Sequence, residues 1–98
     1  MNFELHNHRI LVTGATSGIG LDIARSLAEL GAELVLFGRN QDKLAKLEKE
    51  LGARTLAVDI TDEAAVIAAF LEMPVLDGLV NCAGISLLDD VLDFKAKD

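Results

Sequence analysis

Short apolar runs alternate with amphipathic segments along most of the chain, and this alternation predicts its secondary structure. Continuous apolar runs are typical of strands buried on both faces of a parallel sheet, whereas apolar residues spaced three or four apart indicate a helix with one buried face. The predicted strands cover residues 10–12, 34–37, 55–58 and 76–80. The predicted helices cover residues 19–30, residues 41–51 and a third segment between Thr61 and Pro74.

The ends of these helices are predicted from residue types that favour particular backbone positions. Gly31 and Gly52 follow the first two helices and tolerate the left-handed conformation found after a helix C-terminus. Thr61 is predicted to cap the start of the third helix with its hydroxyl group. The buried face of that helix is predicted to consist of Val66, Ile67, Phe70 and Leu71.

Strands that alternate with helices across short turns require right-handed crossovers, which produce a parallel sheet. We therefore expect an α/β fold, a Rossmann-like doubly wound parallel sheet of four strands in the order 3-2-1-4 with helices on both faces. Ligands of such sheets bind beyond the carboxyl ends of the strands, where the strand order reverses. Because no repeat or linker interrupts the pattern, residues 1–98 are expected to form a single domain.

A glycine-rich segment follows the first predicted strand and leads into the first helix. A helix N-terminus attracts phosphate through its free N–H groups, provided that no side chain blocks the approach. Gly14 permits a tight turn, Gly18 lets the backbone approach a pyrophosphate, and Gly20 lets the helix pack closely against the sheet. The hydroxyl groups of the segment can add donors; they belong to Thr13, Thr16 and Ser17. The competing interpretation is a glycine-rich turn that binds no ligand.

Three motifs in this order resemble those of the short-chain dehydrogenase/reductase family, over about residues 8–86. The family's Thr-Gly-x-x-x-Gly-x-Gly loop is matched by residues 13–20, and its Asp after the third strand by Asp59, which is followed by Ile60. Its Asn-Asn-Ala-Gly motif is nearly matched by residues 81–84, where Cys82 replaces the second Asn. The resemblance implies an NAD(P)-binding site made up of Gly14, Thr16, Ser17, Gly18, Ile19, Gly20, Arg39, Asp59, Ile60, Asn81, Ala83 and Gly84.

The residue after the second strand bears on which cofactor this site prefers. In the resembling family, an acidic residue there binds the ribose hydroxyls of NAD, and a basic residue accepts the extra phosphate of NADP, because a carboxylate repels a phosphate and a guanidinium attracts it. This chain has Arg39 at that point and no Asp or Glu beside it, which favours NADP over NAD. Alternatively, Arg39 is a solvated turn residue, Asp59 serves the start of a helix, and Asn81 stabilises the central sheet.

Composition and charge exclude several other classes of function. A net charge of -7 opposes attraction to nucleic acid, and no apolar run reaches the length of a membrane span. The single cysteine, Cys82, cannot form an internal disulfide and is expected to be a small buried residue in a reducing, cytoplasmic protein. His6 and His8 are two residues apart and do not by themselves make a metal site.

The catalytic part of the resembling family is missing from these residues. Its proton chemistry depends on a Tyr-x-x-x-Lys motif, and this sequence contains no Tyr, so no catalytic residue is assigned. The chain is therefore expected to be the cofactor-binding half of an oxidoreductase that transfers hydride between a carbonyl and an alcohol. A half sheet would leave the fourth strand with a free apolar edge, which predicts self-association. The alternatives are a nucleotide-binding module without chemistry and a folding fragment.

Overall fold

A computed structural model describes residues 5–16 and 18–82. Its four strands form one parallel sheet in the order β3-β2-β1-β4, which confirms the predicted topology. In chain order the elements are β1 (Arg9–Thr13), α1 (Gly18–Glu29), β2 (Glu33–Gly38), α2 (Gln41–Leu51), β3 (Arg54–Ala57), α3 (Glu63–Glu72) and β4 (Gly78–Asn81). The acidic tail, residues 86–98, lies outside the described residues.

The central strand, β1, has a neighbour on each side. Thr13, its last residue, is in register with Phe37 of β2 and with Asn81 of β4. The chain moves from β1 outward to β2 and β3, and then crosses back to place β4 on the opposite side of β1. The strand order therefore reverses between β1 and β4, with the carboxyl ends of three strands side by side.

Helices cover both faces of the sheet, because successive side chains of a strand point to opposite faces. In β2, Leu34 and Leu36 pack in one apolar cluster with residues of α1 and α2, such as Ala24. Val35 and Phe37 pack in a second cluster with α3, where the rings of Phe37 and Phe70 meet edge to face with centroids 5.9 Å apart. The predicted two-sided arrangement is confirmed.

The buried face of α3 differs in part from its prediction. Val66 and Phe70 are buried as predicted, and Ile67 is half-buried against the same cluster. Leu71 is 68% exposed, so its predicted place in the core is wrong. One residue corresponds to about 100° of rotation around a helix, which turns Leu71 away from the sheet once Phe70 faces it. Ala69 occupies the remaining buried position.

The helix ends show one confirmed prediction and one error. Gly31 and Gly52 follow α1 and α2 with φ angles of 89° and 64°, in the left-handed region as predicted. The cap of α3 is Asp62, whose side chain accepts a hydrogen bond from the Ala65 backbone N–H at 3.2 Å. Thr61 was expected there, but its hydroxyl group donates instead to the Asp59 carboxylate. A charged acceptor forms the stronger hydrogen bond.

All four strands differ from their predicted ranges by one or two residues: β1 and β2 are each one residue longer at both ends, and β3 and β4 are shifted. β3 covers residues 54–57 rather than 55–58, and β4 starts at Gly78 rather than at Leu76. Before β4, the backbone N–H of Asp77 donates to the Arg9 carbonyl at 2.7 Å. The Asp77 carboxylate in turn accepts from the Arg9 N–H at 2.7 Å, so this segment is fixed by side-chain as well as backbone contacts.

Arg9 fastens the amino ends of three neighbouring strands. Its guanidinium donates to the Glu33 carboxylate at the start of β2 and to the Val75 carbonyl before β4, over 3.1 and 2.9 Å. With the Asp77 contact, one residue of β1 is bonded to the chain entering β2 and β4.

Among residues 5–16 and 18–82, no helix has the length and apolar character needed to cross a bilayer.

Candidate functional site

The predicted site residues that the structure describes lie at the carboxyl ends of the strands. Thr13 ends β1, Gly38 ends β2 and Asn81 ends β4, while Asp59 follows β3 by two residues. Ser17, Ala83 and Gly84 lie outside the described residues. The others meet along one rim of the sheet, beside the point where the strand order reverses.

The loop between β1 and α1 is built on glycine conformations. Gly14 and Gly18 have φ angles of 65° and 59°, which side chains with a Cβ rarely adopt. Between them, the backbone N–H of the fully buried Ala15 donates to the Phe37 carbonyl at 3.2 Å. This bond ties the loop to β2, so the loop has a fixed position at the rim of the sheet.

Gly20 is the residue at which α1 approaches this loop most tightly. A Cβ atom at Gly20 would run into the carbonyl oxygen of Gly14 and would lie 2.8 Å from its carbonyl carbon. The sequence predicted close packing of the helix on the sheet. The structure shows that the tightest contact is with the loop at the end of β1, so glycine at this position sets the place of the helix N-terminus.

The first turn of α1 has no close neighbour on the Gly18 side within the described residues. A Cβ atom built on Gly18 meets none of their atoms within 4 Å, and Ile19 is 74% exposed. The first turn contains no acidic side chain that could compete for its N–H groups. The first turn of a helix carries backbone N–H donors and partial positive charge, which suits an anion.

A cleft of about 140 Å³ adjoins this loop between the ends of β2 and β3. The Thr16 methyl group lies against Gly38: a Cβ atom at Gly38 would lie 2.5 Å from it, so only glycine fits there without displacing Thr16. The cleft is lined by Gly14, Thr16, Phe37, Gly38, Arg39, Val58 and Ile60. Its walls are mostly apolar, and Arg39 is the basic side chain among these lining residues.

Arg39 and Asp59, which the sequence predicted separately, form an ion pair beside this cleft. The Arg39 Nη2 lies 3.7 Å from the Asp59 Oδ2, and the two side chains are 76% and 44% exposed. An ion pair with this exposure is weak, because water and salt screen it. Arg39 therefore remains available to an anion, with a carboxylate at its side.

Thr61 fixes the Asp59 carboxylate in a tight turn. The Oδ1 of Asp59 accepts from the Thr61 hydroxyl at 2.6 Å and from the Thr61 backbone N–H at 2.9 Å. These hydrogen bonds, the hydroxyl one first, hold the pKa of Asp59 below its ordinary value, with a smaller contribution from Arg39. Asp59 does not cap α3, since Asp62 does so, and the predicted helix-start role of Asp59 is limited to this turn.

Asn81 is held in place at the end of β4 by a side chain of β1. The hydroxyl group of Thr13, which is fully buried, donates to the Asn81 Oδ1 at 2.9 Å. Thr13 was predicted to offer its hydroxyl group to an anion, but the structure directs it across the sheet. A role of Asn81 in joining the central strands is thus supported, with its amide at the β1–β4 boundary. Cys82 is half-buried and packs against the α1–α2 side of the core.

Several residues of this site were not predicted from the sequence. Gly38 was not predicted as a site residue, although a glycine within an apolar strand is a signal that another segment approaches closely. The Asp-x-Thr spacing of Asp59 and Thr61 was a signal of the turn between them. Phe37 and Val58 line the cleft, but their sequence pattern is that of any core residue.

No group of three metal-ligating side chains is found within residues 5–16 and 18–82.

Comparison with known proteins identifies the family. Residues 8–98 match the family described as short chain dehydrogenase. Gluconate 5-dehydrogenase of Gluconobacter oxydans (strain 621H) is 42% identical over 98% of this chain and 41% of its own length. A solved structure described as a short chain dehydrogenase/reductase family protein has a TM-score of 0.77 at 40% identity, over 84% of this chain and 36% of that one.

A solved structure titled the closed form of serine dehydrogenase complexed with NADP+ is also similar. Its TM-score is 0.69 at 32% identity, over 72% of this chain and 31% of that one. The chain spans only about two fifths of the length of the curated relatives that it matches. Because the family match covers nearly all of the sequence and the relatives share its fold, this chain belongs to the short-chain dehydrogenase/reductase family.

Proposed function

We propose that this chain binds a nicotinamide dinucleotide, with a preference for NADP(H), as the N-terminal part of an oxidoreductase. The family binds such a dinucleotide, and hydride transfer between a carbonyl and an alcohol is the activity proposed for the whole enzyme. The further alternative is a nucleotide-binding module without chemistry. The absence of Tyr from these residues leaves the proton-transfer groups unassigned here.

The contact between Gly20 and Gly14 is the observation that carries the proposal. It leaves no space for a Cβ atom and brings the N-terminus of α1 against the loop, and no atom of residues 5–16 and 18–82 lies within 4 Å of a Cβ position at Gly18. A pyrophosphate bound there would accept from backbone N–H groups at the positive end of the helix. A turn that served only to connect β1 to α1 would not require glycine at a helical position.

The adenosine half of the cofactor is proposed to occupy the cleft between β2 and β3. Its apolar walls suit a planar base, and Val58 and Ile60 line it on the β3 side. Arg39 would meet a phosphate on the ribose, because it is exposed and directly follows β2. Residues Asn81, Ala83 and Gly84 would place backbone near the cofactor at the β1–β4 boundary, as the resemblance implies.

Titration with NADPH and with NADH tests this proposal. We expect weak but measurable binding that favours NADPH, and we expect Arg39→Glu to reduce that preference because the reversed charge repels the 2'-phosphate. Arg54→Glu is the matched control, since Arg54 is an exposed arginine at the amino end of β3, away from the site. Equal affinity for both cofactors before and after the Arg39 change would contradict the proposed preference.

Two further proposals concern the self-association of the chain and its location in the cell. Within the described residues, β4 pairs with β1 only, and we propose self-association through its other edge, which sedimentation at rising concentration tests. A single monomeric species at all concentrations would contradict it. A cytoplasmic location is proposed from the single cysteine.

A further inference from the structure

The two oxygens of the Asp59 carboxylate have different partners. Oδ1 accepts both hydrogen bonds from Thr61, over 2.6 and 2.9 Å. Oδ2 faces Arg39, with its Nη2 atom 3.7 Å away. Thr61 therefore holds the carboxylate in one orientation, and that orientation keeps a negative charge beside the guanidinium.

Asp59 is also well placed to remain charged. The hydrogen bonds from Thr61 stabilise the ionised form, and the carboxylate stays ionised at neutral pH. Within residues 5–16 and 18–82, no other carboxylate lies within 4.0 Å of the Arg39 guanidinium. The positive charge offered to a ribose phosphate is thus opposed by one identified negative charge.

We infer that Asp59 is a specificity-determining residue, which limits the preference for NADP(H) by opposing the 2'-phosphate at Arg39. This inference rests on the proposed dinucleotide function. A phosphate at Arg39 lies near the Asp59 charge, whereas the free ribose hydroxyls of NAD bring no added charge to that place. Contacts of Asp59 with the adenine are common to both cofactors, so they cancel in the ratio of the two affinities.

The size of the effect follows from the exposure of the pair. Exposed charges a few ångströms apart interact weakly, and the interaction falls further as salt is added. We therefore expect removal of the Asp59 charge to raise the NADPH-to-NADH affinity ratio by roughly two- to fivefold at low ionic strength. This increase in the affinity ratio should disappear at high salt.

Asp59→Asn is the informative variant. The Asn oxygen can still accept both bonds from Thr61, so the turn is kept while the charge is lost. Asp62→Asn is the matched control, because Asn also caps helices and Asp62 does not pair with Arg39. Asp59→Ser is a second neutral variant should the first prove unstable. Dissociation constants for NADPH and NADH are measured by calorimetry on each chain, at low and at high salt.

The outcomes separate the inference from the proposed function. A higher ratio in Asp59→Asn that disappears at high salt, with no change in Asp62→Asn, supports the inference. An unchanged or lower ratio, with both cofactors still bound, overturns the inference and leaves the proposed function standing. If the unaltered chain binds neither cofactor, the proposed function fails and the inference fails with it.

Discussion

The tight contact at Gly20 predicts that Gly20→Ala destabilises the chain and weakens its proposed nucleotide binding. The added methyl group meets the backbone of Gly14, which cannot rotate away as a flexible side chain could. The Gly14 carbonyl carbon lies 2.8 Å from the new Cβ position, and ordinary van der Waals contact begins at 3.4 Å. Relief of the carbon contact alone would take 0.6 Å, and the Gly14 carbonyl oxygen is closer still, so the loop and the first turn of α1 must separate by more than that.

The energetic cost of this separation sums two opposing terms. Inserting a methyl group into a close-packed site costs about 1–3 kcal/mol. Replacing glycine by alanine in a helix returns up to about 1 kcal/mol, and less near the helix end. The expected net loss in the free energy of unfolding is about 1–2 kcal/mol, which corresponds to a melting temperature lower by roughly 5–15 °C.

Thermal melts and NADPH titrations of two variants measure these effects separately. Gly52→Ala is the control: Gly52 follows α2 in the left-handed region, and no atom of the described residues lies within 4 Å of its Cβ position. Alanine there should cost a similar ~1–2 kcal/mol through backbone strain alone. We expect Gly20→Ala to lose tenfold or more in NADPH affinity and Gly52→Ala to retain it. Full NADPH binding by a folded Gly20→Ala chain would refute the reasoning from this contact.

Two other predictions concern hydrogen bonds at the same rim of the sheet. Thr13→Val removes the buried hydroxyl donor to Asn81, and we expect urea unfolding to show a loss of about 1–3 kcal/mol, with a smaller loss in Thr13→Ser; a Thr13→Val chain as stable as the original would contradict this. The second concerns acid. Because the folded-state pKa of Asp59 is lowered, chiefly by the Thr61 hydroxyl, its contribution to stability is present above the ordinary pKa of about 4 and disappears as the pH falls through the lower folded value. Thr61→Val should lose less stability than the original chain between about pH 4 and pH 2 in urea melts, and parallel pH profiles would count against the hydrogen bond.

The topology was predictable because each local signal agreed with the others. The apolar run of β2 is buried on both faces, and glycines follow α1 and α2. The spacing of apolar residues and the positions of the glycines therefore predicted the same order of elements. The exposure of Leu71 was not predictable from its apolar character. The rotation of α3 is set by which neighbouring side chain, Phe70, fills the space beside Phe37.

The motif residues of the candidate site could be named from the sequence, whereas their mutual contacts could not. The Arg39–Asp59 pair joins residues that follow different strands, and it depends on the register of β2 with β3. The hydroxyl group of Thr13 bonds to Asn81 and not to the predicted anion for the same reason, because the pairing of β1 with β4 brings Asn81 next to it. Contacts across a sheet require the three-dimensional neighbour, which a linear motif does not contain.

The fastening of Arg9 at the amino ends of the strands has a consequence for how such a protein can change. One arginine secures the far side of the sheet, through Glu33, Val75 and Asp77, at the opposite ends of the strands from the cleft. Substitutions in the loops on the cleft side therefore leave these contacts, and the strand register that they support, unchanged. Proteins with this sheet can thus acquire new cofactor preferences through substitutions at the carboxyl ends of the strands, while the sheet itself stays the same.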